Sequence, residues 1–454
     1  MMLAFIAAVT FIGWNILYLI SARAEGICLL ERLFISYGMG MGFVSMGMLF
    51  FYFLGGEFSA SRILSPWLLL IALNIVLYFK RARGGPPVMT EVRSGDNRPL
   101  AIFLTVGLTL EILYSLFRAL IKPMEAYDAV AIYGVKAKMF YLADAIPKGF
   151  FNGVYARFPH PDYPLNIPLS ETLAYIFMGG LNDQLVKLIF PLFFIGILTI
   201  LYFGIRRFAG KTYALLFTFL LATVSQFNEY ATNAYLDLAL AYYYFASAVF
   251  LYIWFENKEK VHFLLISAFM VSLAAWTKNE GLMYCLINIG VLFIFFLRHR
   301  PEISKTTRLC MLSYPCIVLA VTLPWLYVKA SANIMNSDLG AITPGSLNIF
   351  KYGYKIPPIF YEFQKQFFGP KKWNLVWPAA LFVSAINFKK LFRGVQGYIT
   401  LSLALALAGY ISVYMIAIVD IRYFLRTSWS RFIIHFLPVV IYGMARILKE
   451  DLDL

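Results

Sequence analysis

Residues 165–180 read "LNIPLSETLAYIFMGG", and whether this stretch crosses a membrane sets the side of every connector after it. A span needs about 20 mostly apolar residues to cover roughly 30 Å of hydrocarbon. This stretch has about 16, with prolines in it and beside it, and proline removes an intrahelical hydrogen bond. If it crossed, the basic connector "RRFAGK" (206–211) would leave the side that holds the other basic connectors. An interfacial or re-entrant helix is therefore expected here.

The rest of the chain makes the question a membrane question. Of 454 residues 61% are hydrophobic and only 14% charged, the composition of a polytopic membrane protein. Candidate spans fall at about 2–20, 33–55, 66–79, 101–119, 186–205, 212–227, 238–255, 262–276, 282–297, 310–328, 376–388, 396–419 and 431–447. The first, "MMLAFIAAVTFIGWNILYLI", lacks the basic start and small-residue cleavage site of a secretory signal, so it reads as a retained span.

The net charge of +15 lies in short connectors such as "KRARGG", "RRFAGK", "RHRPEISKTTR" and "KKLFRG". Lys and Arg retained on the cytoplasmic side produce that pattern, and it argues against a nucleic-acid partner. With the spans alternating, about 21 Lys and Arg fall in roughly 70 cytoplasmic residues against about 18 in roughly 150 outside. Cys28, Cys285, Cys310 and Cys316 have neither a CxxC nor a metal-type spacing and are silent on redox compartment.

The outer side then carries two long loops, about 120–185 and 329–375, and the connectors "NEYATNAYLD", "TKNEG" and "DIRYFLRTSWSR". In "MEAYDAVAIYGVKAK" (124–138), Asp128 and Glu125 follow the fourth span, and a carboxylate there can take a proton from an acceptor or simply be a solvated loop acid. "FPHPDYPLNIPL" (158–169) sets His160, Asp162 and Tyr163 among prolines, which can hold polar groups at a fixed height or form only a stiff turn. His160 has no second ligand at metal spacing. Asp237 opens the seventh candidate span, where helix capping alone would favour it. Lys278 and Glu280 stand between two spans with almost no loop, costly unless paired. Arg422, Arg426 and Arg431 oppose the prevailing charge bias, and arginine forks suit phosphate oxygens, a lipid headgroup's included.

Acids on early outer connectors and cations on late ones, at headgroup level, suit chemistry on a membrane-anchored phosphate: cations stabilise the departing phosphate and a carboxylate activates the incoming hydroxyl. No Gly-rich nucleotide cradle is present. "EAYDAVAIYGVKAK", "HPDYPLNIPL", "NAYLDLALAYY" and "AWTKNEGL" together resemble the GT-C superfamily of polyprenyl-phosphate-sugar-dependent membrane glycosyltransferases, in the branch of protein O-mannosyltransferases and lipid A aminoarabinose transferases.

With the candidate spans counted above, the expectation is an all-α, GT-C-like polytopic membrane protein of about 13 transmembrane helices, and the resemblance implies interfacial helices in its first large outer loop. Residues 1–99 would be additional N-terminal spans and a basic cytoplasmic loop, 100–328 the catalytic core with loop 120–185, and 329–454 loop 329–375 with the C-terminal spans. In those relatives the catalytic loop follows the first span, whereas here it follows the fourth. The implied reaction is an inverting transfer of one sugar from a polyprenyl-phosphate donor to a glycan, lipid or protein hydroxyl outside an inner (plasma) membrane. Asp128 resembles the catalytic acid of the first outer loop and Asp237 that of the second, with Glu125 a further candidate. Lys278 and Arg431 fall where donor-phosphate contacts are expected, and Glu280, Arg422, Arg426, His160, Asp162 and Tyr163 are further candidate substrate contacts. A divalent metal is compatible with the superfamily, and nothing in the chain calls for one. The competing classes are a flippase or transporter of lipid-linked sugars and an enzyme like the O-antigen polymerases and ligases.

Overall fold

The computed structural model describes residues 1–21, 25–80, 97–151, 160–340 and 348–452. Most of the basic run "KRARGG", from Arg81 on, lies outside the described residues, as do Phe158, Pro159 and residues 341–347 of the second long loop.

The chain forms α1 (Met2–Ile20), α2 (Leu29–Leu54), α3 (Ala60–Leu64), α4 (Trp67–Lys80) and α5 (Arg98–Ile121). A π-helical turn (Ala129–Gly134) leads into α6 (Val135–Leu142), followed by α7 (Asn166–Met178), α8 (Ile189–Arg206), α9 (Lys211–Ala222) and α10 (Ser225–Tyr230). Then come α11 (Asp237–Glu256), α12 (Val261–Thr277), α13 (Glu280–His299), α14 (Lys305–Ser331), α15 (Ile356–Phe367), α16 (Pro370–Trp373), α17 (Val376–Ile386), α18 (Gly394–Ile416) and α19 (Ile421–Leu452). No strand occurs among the described residues; the one β feature is an isolated bridge between Asn336 and Gly340.

Ten helical segments are long and apolar enough to cross a membrane, counting α3 and α4 as one stretch. This is the architecture of an integral membrane protein, since helices satisfy their own backbone groups in hydrocarbon. The three other candidate spans are shorter helices: α9 has 12 residues, α12 has 17 and α17 has 11. At 1.5 Å per residue they reach roughly 18, 26 and 16 Å.

Helix α11 is the axis of the bundle, and its candidate span is wholly buried. Its sequence, "DLALAYYYFASAVFLYIWFE", is apolar all round, the pattern of a helix enclosed by others. It packs on α8, α12, α18 and α19, and its tyrosines tie it to α2: Tyr242 donates to the Phe34 carbonyl at 2.6 Å and Tyr243 to the Gly38 carbonyl at 2.8 Å. Helices α1 and α2 cross at a glycine pair. A Cβ on Gly13 would lie 1.8 Å from the Ser36 carbonyl oxygen, and one on Gly40 1.8 Å from that of Val9. The two backbones touch there, as small-residue crossings in membranes do.

The stretch 165–180 folds as α7, 13 residues ending on Gly179 in the left-handed conformation. It is too short to cross, but it does not lie on a surface either: Asn166 through Tyr175 are all buried, packed against α1, α2 and α6. The expected interfacial or re-entrant helix is thus short, and it is enclosed by neighbouring helices rather than exposed. Its polar residues have partners inside the bundle. Asn166 donates to Thr277 Oγ1 and accepts from Ser45 Oγ, both at 2.8 Å, and Thr172 donates to the Ala137 carbonyl at 3.2 Å. Burial pushes the Glu171 carboxyl well above its ordinary range, toward the neutral form.

Polar connectors collect at two ends of the bundle. At one, Arg207 pairs with Glu31 at 2.7 Å, His262 meets the Glu25 carbonyl at 3.0 Å and Arg446 pairs with Glu256. At the other lie Asp128, Asp237, Lys278 and Arg431. The connectors expected on opposite sides of the membrane are thereby separated.

Candidate functional site

Asp237 occupies the first turn of α11, where the helix dipole favours a carboxylate, and it is fully buried. One of its oxygens, Oδ1, accepts from Lys278 Nζ at 2.8 Å and faces His435 Nε2 at 2.9 Å. The other, Oδ2, is buried with no hydrogen-bond partner. Lys278 reaches this point because α12 ends at Thr277 and α13 starts at Glu280, so the joint has no length in which to carry the ammonium away. It also contacts Glu280 Oε1 at 3.0 Å.

Asp128 immediately precedes the π-helical turn and forms an ion pair with Arg431, which comes from α19. The Arg431 guanidinium also lies over the Tyr235 ring, 4.5 Å from its centroid. Tyr133, inside the π turn, is buried with its hydroxyl unpartnered. It feels all four charged groups: burial pushes its phenol well above the ordinary value, Asp237 and Asp128 add to that, and Lys278 and Arg431 oppose it. The structure therefore brings Asp128, Asp237, Lys278 and Arg431 around one side chain. π-turns recur at functional sites because the inserted residue re-aims its neighbours.

Beside this cluster, the proline-rich segment is fastened to α13 and to the loop after α14. Asp162 accepts from Asn279 Nδ2 at 2.7 Å and from Ser337 Oγ at 2.6 Å. Tyr163 donates to Asp338 at 3.4 Å and stacks on His160, with centroids 4.4 Å apart. His160 holds a positive φ of 54°, a conformation uncommon outside glycine, and its carbonyl accepts from the buried Lys136 ammonium at 2.6 Å. Burial lowers Lys136 to about 8, with Asp162 opposing.

A cavity of about 290 Å³ opens between these groups. Its lining combines the polar Glu280, Asn279, Lys329, Asp338 and Tyr163 with the apolar Leu282, Met283, Val413, Phe424 and Phe432. Such a cavity fits an amphiphile with a polar head and an apolar tail.

The chain matches no protein-family model and no curated protein.

Of the residues expected from sequence, Asp128, Asp237, Lys278, Glu280 and Arg431 meet at the charged cluster, while Asp162, Tyr163 and His160 form the neighbouring layer. Glu125 does not join them: it is exposed and pairs with Lys122 at 3.1 Å. Arg422 and Arg426 also lie elsewhere, lining a groove against α15. The cause is helical phase, because Arg422 is nine residues, about two and a half turns, from Arg431 and so faces the other way.

His435, Tyr410 and Asp338 were not anticipated. His435 Nδ1 meets Tyr410 Oη at 2.6 Å, and Tyr410 Oη meets Tyr284 Oη at 2.8 Å, so a neutral imidazole can donate to Asp237 and accept from Tyr410. The available signal was a histidine inside an apolar span, which is costly and rarely idle. Among the described residues no group of three or more His, Cys, Asp or Glu could hold a metal ion.

Proposed function

We propose that this protein is a membrane glycosyltransferase of GT-C type, with about thirteen spans, that moves one sugar from a polyprenyl-phosphate donor to an acceptor hydroxyl at the extracytoplasmic end of the bundle. The observation that carries the reading is the meeting of two acids and two cations from four separate connectors at one end of a buried helix bundle, beside an amphiphilic cavity. The acceptor oxygen attacks the anomeric carbon, the carbon–oxygen bond to the phosphate breaks, and the polyprenyl phosphate leaves with that electron pair. A carboxylate takes the acceptor's proton, and inversion follows from the single displacement. Lys278 and Arg431 offer charge to the departing phosphate.

Two carboxylates compete for the base. Asp128 matches the resemblance but is engaged by Arg431, so it is free to meet an acceptor hydroxyl only when a phosphate draws the guanidinium away. Glu280 faces the cavity directly. Incubating the purified protein with labelled polyprenyl-phosphate sugar tests the reading. Turnover without a gradient supports it, and an Asp128→Asn or Glu280→Gln variant should then lose about 10²–10⁴-fold. Near-parent turnover in both variants removes these acids from the chemistry.

One observation favours a second reading. The buried chain Asp237–His435–Tyr410–Tyr284 runs into the bundle, as ionisable groups in transporters do. Headgroup movement across the bilayer without bond cleavage, in the same assay, would support a flippase.

A further inference from the structure

We propose a second anion site, separate from the charged cluster: the groove between α15 and the start of α19 binds the headgroup of an anionic diacyl phospholipid. Arg422 and Arg426 are four residues apart, hence on one face of α19, and both are exposed. Neither has a carboxylate partner among the described residues. They line a groove of about 440 Å³ together with Pro357, Tyr361, Glu362 and Leu425. Glu362 does not neutralise them at close range: it is buried and accepts from Gln366 at 3.0 Å.

The level and the surroundings fit a lipid. The arginines lie in the first two turns of the candidate span Ile421–Lys449, and a helix of that length, about 43 Å, reaches beyond roughly 30 Å of hydrocarbon into the headgroup layer. Helix α15 beside them exposes Ile356, Phe360 and Tyr361, the apolar side of a helix made to lie in the interface. Two unpaired guanidiniums at that depth match phosphate oxygens. Under the proposed function the polyprenyl donor's phosphate lies at Arg431, on the opposite face of α19, which leaves this groove to another lipid. The occupant is therefore a lipid of the surrounding bilayer, and the inference stands whether or not the protein transfers sugar.

Native mass spectrometry of the full-length protein in detergent provides the test, with phosphatidylglycerol as probe and phosphatidylcholine and glycerol 3-phosphate as comparison arms. Phosphatidylglycerol is expected to bind more tightly than either. An Arg422→Gln/Arg426→Gln protein should lose roughly 30-fold in that affinity, and Arg426→Gln alone about fivefold. The charge-keeping Arg422→Lys/Arg426→Lys protein should retain most of it, which separates lost charge from lost folding. Unchanged phosphatidylglycerol affinity in the Gln variants, equal affinity for phosphatidylcholine, or equally tight glycerol 3-phosphate binding would each overturn the proposal.

Discussion

Asp237 is placed out of water with a lysine and a histidine on one oxygen, so its charge and that of Lys278 depend on each other. Removing one member of a buried pair leaves the other charge unsolvated, which costs about 3–5 kcal/mol. Asp237→Ala should therefore lower the unfolding midpoint, and an unchanged thermal melt would show that the existing Glu280 contact alone is enough to hold the Lys278 charge. Lys136 makes a different demand. Its folded value of about 8 is below that of an unfolded lysine, so the unfolded chain binds more protons between roughly pH 8 and 10.4. Stability contributed by this residue is thus lowest below about pH 8 and rises above it. Melting curves should show the parent gaining on Lys136→Met from pH 7.5 to 9.5; a constant difference would mean that Lys136 titrates normally. Asp237 and Lys278 could be picked out by residue type and position, whereas the burial of Lys136 could not, because its neighbours arrive from residues 160–162.

At the scale of elements, helix length and apolarity were readable almost everywhere, since hydrocarbon thickness imposes a local requirement on consecutive residues. All thirteen candidate spans coincide with helices, ten of them of spanning length. Helix α7 was the instructive exception. Its brevity argued against crossing, but its enclosure depends on Ser45 and Thr277 being ready to pair with Asn166, and those belong to α2 and α12. The crossing of α1 and α2 was equally hidden, because glycine in a membrane helix becomes meaningful only when another backbone lies against it. Gly40→Leu should force the two helices apart, lowering the melting midpoint and abolishing cross-links between cysteines introduced on α1 and α2. A parent-like melt with intact cross-links between introduced cysteines on the two helices would contradict the close approach.

For the whole molecule, the separation of polar connectors into two ends predicts an accessibility pattern. In sealed vesicles of known orientation, single cysteines introduced by Asn182→Cys and Ser337→Cys should react with an impermeant reagent from one side, and Lys260→Cys from the other. Reaction of all three from the same side would break the assignment of faces. The membrane class, the approximate spans and this two-sidedness follow from the sequence alone, because each is a sum over neighbouring residues: apolar length, or Lys and Arg per connector. Which acid meets which cation was decided only by the tertiary structure. Asp128 and Arg431 are 303 positions apart and Asp237 and His435 198, and their meeting depends on how far each helix is rotated and how deeply it is set. The same rotation turned Arg422 and Arg426 away from Arg431. Hydrophobic length does not encode rotation; it is fixed when side chains such as Tyr242 and Tyr243 lock α11 against α2.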